Sequence, residues 1–142
     1  MAILLSTTFA NKLLGFDSVA HSASVADQFG GGTLVVYSGT PPAGPNEALS
    51  GNTALATFSF AAASSWAAPS GGIQNLDFTA TTVTAGASGT ATFFRVFDSG
   101  SNALCQGTVG TSSSDMNLSS TTIVSGDNVS ITGTPTAFWP VT

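Results

Sequence analysis

Positive charge is nearly missing from this chain of 142 residues. Lys12 and Arg95 are its only fixed cations, against seven acidic residues, for a formal net charge of −5. A phosphate backbone would meet repulsion and no basic patch, so direct nucleic-acid binding is excluded. A single cysteine, Cys105, excludes an intramolecular disulfide and is expected reduced in the core. A single histidine, His21, has no nucleophile pattern beside it, so a catalytic triad would rest on it alone. A solvent-facing or capping histidine is the simpler reading. No window approaches the roughly 18 uninterrupted apolar residues of a membrane span. The N-terminal MAILLSTTFANKLLGF also lacks the basic n-region and long apolar core of a secretory signal. The expectation is a chain made and kept in the cytoplasm, with no membrane partner and no cofactor.

What the chain has instead is hydroxyl and apolar content. Charged residues make up 6%, against roughly 25% in ordinary soluble domains. Ser and Thr together number 40, and 42% of residues are hydrophobic. Such a chain is built to pack and not to stay disordered. With few ions to keep copies apart, its surface suits an assembly better than solitary life, so a homo-oligomer is expected. The length fits one domain with one core.

The organising stretch is GASGTATFFRVFD, residues 86–98. Its β-branched and aromatic run from Thr90 to Phe97, bracketed by Gly89 and by Ser99, Gly100 and Ser101, predicts a central strand. Alternation puts Ala91, Phe93, Arg95 and Phe97 on one face and Thr92, Phe94, Val96 and Asp98 on the other. Both faces carry aromatics, so both are expected to be covered. Thr33 to Tyr37 predicts a buried strand, closed by Ser38, Gly39 and the exposed, proline-stiffened loop TPPAGPNEALSGN. Ala54 to Phe60 alternates, with Leu55, Thr57 and Ser59 on one side and Ala54, Ala56, Phe58 and Phe60 on the other.

Ile73 to Val83 predicts a long strand or a bent pair. DSGSN, residues 98–102, predicts a tight hairpin loop returning through Ala103 to Val109. Short strands follow at Met116 to Leu118, Thr121 to Val124 and Asn128 to Thr132. Upstream, Ser6 or Thr7 can cap a helix stopped at Gly15, and Ser24 to Phe29 forms a second turn or two. There Leu4, Leu13, Leu14 and Phe16 either cover one end of the domain or pack an irregular arm on a neighbour. The organisation expected is an arm over 1–32, partly helical, a core over 33–132 and a C-terminal extension over 133–142. The fold class is all-β: an antiparallel sandwich, jelly-roll or Greek key.

Candidate sites are few. A guanidinium within a core-like strand needs a carboxylate, several carbonyls or an aromatic face around it. The specific expectation is Arg95 locked by Asp98 or Asp77 and flanked by Phe93 and Phe97, in a structural role. Residues 98–102 lack the second acidic ligand and terminal Glu of a calcium loop, so a hairpin turn is expected and no metal site. Asp115 and Asp127 each sit in a Ser/Gly turn where Asp bonds its own backbone, and they do not stand out as a glycosidase pair. The sequons at Asn117 and Asn128 carry no weight without a secretory signal. Trp66, Phe138 and Trp139 would serve a sugar-stacking platform, the core or an interface. Trp66 is assigned to the core, and Phe138 and Trp139 to an interface, together with Leu4, Leu13 and Leu14.

Four segments in order, YSGTPP at 37–42, SGNTALATF at 50–58, GTATFFRVFD at 89–98 and GTVGTSSSDMNL followed by SGDNVSI, resemble a family of small virion-associated proteins of tailed bacteriophages. The similarity covers roughly residues 33–131. It implies a noncatalytic structural component of the virion, within that class a capsid cement or decoration protein. Its partner would be the major capsid protein and its assembly a cyclic oligomer, a trimer by preference. The competing expectation is a tail-fibre or receptor-binding β-module that grips a host surface glycan.

Overall fold

A computed structural model describes residues 3–13, 24–71, 73–133 and 136–138. Strand β1 (Leu4–Leu5) leads into helix α1 (Thr7–Leu13), and helix α2 (Val25–Phe29) precedes β2 (Thr33–Ser38) and β3 (Ala54–Ser59). Then come β4 (Ile73–Asn75), β5 (Thr82–Thr84), β6 (Gly89–Phe97) and β7 (Ala103–Gly110). The last four are β8 (Met116–Asn117), β9 (Thr122–Ile123), β10 (Asn128–Ser130) and β11 (Thr136–Phe138). Both helices begin at serines. The Ser6 hydroxyl accepts from the Phe9 N–H at 3.1 Å, and the Ser24 hydroxyl accepts from the Asp27 N–H at 3.1 Å, each satisfying a donor the first turn leaves orphaned.

The main sheet runs β1–β7–β6–β2–β3 with every neighbouring pair antiparallel. β9 pairs with the start of β6, and β8 lies parallel to the end of β7. Among the described residues two smaller antiparallel pairs, β5–β10 and β4–β11, stand beside the main sheet, so part of the expected C-terminal extension is stitched to β4. The all-β, antiparallel expectation holds, and the central place of β6 with it. Residues 73–83 form the bent pair, broken where Phe78 bridges back to Phe60.

The inner face of the main sheet carries Leu34, Val36, Phe58, Phe94, Val96 and Cys105, all buried. Facing them are Phe9 and Phe29 from the helices, Phe60 and Trp66 from the connection after β3, and Met116, Leu118, Ile123, Val129 and Ile131 from the C-terminal third. Each large apolar side chain so buried contributes on the order of 1.5–3 kcal/mol, which makes this layer the main source of stability. Three bulges shape the sheet. Leu55 is the extra residue of β3 between Ala54 and Ala56, Thr92 that of β6 opposite Tyr37 and Ser38, and Leu104 that of β7 opposite Val96 and Phe97. The first corrects the alternation expected for β3. Leu55 turns into the core at 1% exposure while Thr57 and Ser59 stay exposed.

Candidate functional site

The outer face of the main sheet carries a second, smaller apolar cluster of Val35, Tyr37 and Phe93, with Phe97 packed against it. Tyr37 and Phe93 are direct cross-strand partners whose rings stack at 5.2 Å between centroids. One register row beside them runs Leu4, Gln106, Arg95, Val35, Thr57 across all five strands. Arg95 and Gln106 are therefore opposed on neighbouring strands, and both are almost fully buried, at 4% and 3% exposure.

What buries them is the proline-rich loop, residues 39–53, which crosses this face as a strap. Arg95 Nη1 donates to the Glu47 carbonyl at 3.0 Å and Nη2 to the Gly44 carbonyl at 3.2 Å. Gln106 Nε2 donates to the Pro42 carbonyl at 2.9 Å, and Gln106 Oε1 accepts from Arg95 Nε and Nη2 at 3.2 and 2.7 Å. The Ser38 N–H donates to the Thr53 carbonyl and closes the loop's base. At the entry Thr92, the extra residue of β6, donates its hydroxyl to the Gly39 carbonyl at 2.6 Å. Gly39 turns the chain there at φ 89°, a conformation that penalises any side chain. Asn52 Nδ2 reaches the carbonyls of Ser38 and Thr40, and Asn46 exchanges two hydrogen bonds with Thr7 at the start of α1.

The charge of Arg95 is met by neutral oxygens. This corrects the expected lock by Asp98 or Asp77. Asp98 lies at the hairpin turn, where its carboxylate accepts from the N–H groups of Gly100 and Asn102 and from the Asn102 side chain. Asp77 follows β4, and its carbonyl accepts from Ala61. Phe93 and Phe97 share the outer face with Arg95 as alternation requires. Burial lowers the pKa of Arg95 and raises that of Tyr37 above the ordinary 10.0, while the guanidinium and the phenol each oppose the other's shift. Gln106, the residue sequence reasoning missed, is uncharged and sits in a strand that reads as plain β.

Among the described residues, Cys105, Asp115 and Trp66 are used structurally. Cys105 is buried on the inner face, and desolvation pushes its thiol up to about 12. Asp115 Oδ2 accepts from both the N–H and the hydroxyl of Thr108, fastening the serine-rich turn back onto β7. Trp66 sits in the core among Phe29 and Phe60, with its indole N–H on the Ala61 carbonyl at 3.0 Å. Leu4 is 43% exposed on the edge strand β1. Phe138 is placed opposite Ile73, and Leu13 ends α1. Leu14, Phe16, His21 and Trp139 lie outside the described residues.

Among the described residues, no group of three or more His, Cys, Asp or Glu is placed to hold a metal ion. No buried side-chain nitrogen or oxygen there lacks a hydrogen-bond partner. No helix among them is long and apolar enough to cross a membrane. No family model matches the chain, and no curated protein or solved structure matches it at a significant level.

Proposed function

We propose that this protein is a noncatalytic structural component of a tailed-bacteriophage virion. It is made in the host cytoplasm and acts as a capsid cement protein that bridges subunits of the major capsid protein as a homo-oligomer, a trimer by preference. The observation that carries this reading is the use of four of the described ionic and nucleophilic groups. Arg95 holds a strap, Asp98 and Asp115 fasten turns, and Cys105 is buried with its thiol held protonated. Described groups committed in this way to the domain's own architecture suit a role as contact surface.

The surface supports the same reading. Ile3 and Leu4 are exposed at the β1 edge of the main sheet, where main-chain groups and apolar side chains are both available to a neighbour. Hydroxyl-rich strands pair with a partner without desolvating an ion. The glycan-binding alternative is weakened by Trp66, which is built into the core and cannot serve as half of a stacking platform.

Location tests the proposal. A reconstruction of the phage particle should show the chain on the shell in many symmetry-related copies, whereas a handful of copies at the tail would transfer it to the fibre reading. Light scattering on the purified protein should give a trimer. A strict monomer at high concentration that ignores the shell would refute the proposal.

A further inference from the structure

The outer apolar cluster lies beside Arg95 and Gln106 on the same face, and the loop bonded to those two side chains is fastened in an unusual way. Of residues 39–53 only Pro45 is buried, so the strap gives little apolar surface of its own to the structure it covers. Its central ties run from two side chains of the sheet, Arg95 and Gln106, to three main-chain carbonyls, those of Pro42, Gly44 and Glu47. Glycines with positive φ, Gly39 and Gly51, stand near its two ends. The main core on the opposite face of the sheet is a separate cluster that does not include Val35, Tyr37 or Phe93.

We propose that residues 39–53 form a hinged cover that opens as a unit over Val35, Tyr37 and Phe93 while the sheet stays folded, with Arg95 and Gln106 as its latch. Closing strips water from a guanidinium that gains only neutral acceptors, so the closed state carries a desolvation cost that opening returns. An apolar pair at the same two positions would have no such reason to let go. The strap thus belongs to the low-stability end of the molecule, held by polar bonds that water can replace, over a sheet secured from behind. This inference does not depend on the virion reading.

Two residues report on it alone. Glu47, in the strap, is the chain's one glutamate, so a glutamate-specific protease cuts only there, and Tyr37, buried in the outer cluster that the cover is proposed to shield, is its one tyrosine. The experiment compares the parent with Arg95→Gln and Gln106→Ala near pH 8, measuring cleavage at Glu47, nitration of Tyr37 by tetranitromethane, and far-UV circular dichroism. The expected result is that both rates rise together, by about tenfold or more in at least one variant, with the β signal retained. Loss of the guanidinium without opening would make the phenol less ionised and slow nitration, so a faster reaction in Arg95→Gln reports uncovering. Unchanged rates would overturn the proposal, and so would cleavage that accelerates without nitration. Loss of the β signal in both variants would also overturn it, because the strap would then be part of the fold and not a cover.

Discussion

Gln106 Oε1 accepts two hydrogen bonds from Arg95, one from Nε and one from Nη2, across the β6–β7 pairing. One uncharged amide oxygen takes both donors on that side of the guanidinium, where a carboxylate would use two oxygens. The remaining donors are left free to reach the strap.

Arg95→Lys follows directly. An ammonium is a point donor at the end of a flexible stem and cannot bond Gln106 while also reaching the carbonyls of Gly44 and Glu47. The variant should lose about 1–3 kcal/mol of stability, read as a lower urea midpoint. A parent-like midpoint would mean that the planar fork is irrelevant to the fold.

Gly107→Ala should also destabilise, for a steric reason. Gly107 is the cross-strand partner of Phe94 on the inner face, and a methyl there would lie 2.7 Å from two carbons of the Phe94 ring and 3.1 Å from Asp115 Cβ. Moving a buried ring away from its place costs about 1–3 kcal/mol. Gly107→Ala with Phe94→Leu should recover part of the loss in a double-mutant cycle, and strictly additive effects would refute the clash.

Much of the sheet was legible because its signals are local. The runs 33–37, 54–60, 90–97 and 103–109 carry β-branched and aromatic residues between glycine and serine turns, and all four are strands. Trp66 in the core, a cap at Ser6 or Thr7, and a helical turn over residues 24–29 were legible for the same reason. The partner of Arg95 was not. Counting back from the hairpin, with Phe97 opposite Ala103, sets Arg95 opposite Cys105; the bulge at Leu104 slides β7 by one residue and puts Gln106 there. A bulge at Leu55 likewise defeats the alternation rule in β3. Nor does any local pattern state which loop crosses which face: residues 39–53 read as exposed, and most of their side chains are, yet their carbonyls close over the one described cation side chain.

Asp115→Ala should loosen the turn at residues 111–115. Asp115 Oδ2 is the acceptor for the Thr108 N–H, at 2.9 Å, and for its hydroxyl, at 2.8 Å. Removing it leaves a half-buried backbone donor without its partner, at a cost of about 1–2 kcal/mol. Hydrogen exchange should show the Thr108 amide losing protection while the amides of β2 keep theirs. Retained protection at Thr108 would show that another group holds the turn.

The last prediction concerns alkaline pH and rests on Cys105. Its thiol is raised from 9.0 to about 12 by burial, so between those values the unfolded chain releases a proton that the folded chain keeps. The unfolded state then binds fewer protons, and stability falls as pH rises. The contribution is fully present below about pH 8, and its loss approaches about 1.4 kcal/mol per pH unit above 9. Tyr37, raised above 10.0 by its own burial, adds a second decline of the same sign at higher pH. Urea unfolding from pH 7 to 11 should therefore show a flat region and then a steep fall. Cys105→Ala should delay that fall until the tyrosine range, at the expense of a small cavity beside Val96 that lowers stability equally at every pH. A parent curve that stays flat past pH 10, or a Cys105→Ala curve with the parent's slope, would show that the thiol is not sealed in the core. The same sealing predicts no reaction of the folded protein with a thiol-specific disulfide reagent at pH 8 and full reaction once it is unfolded.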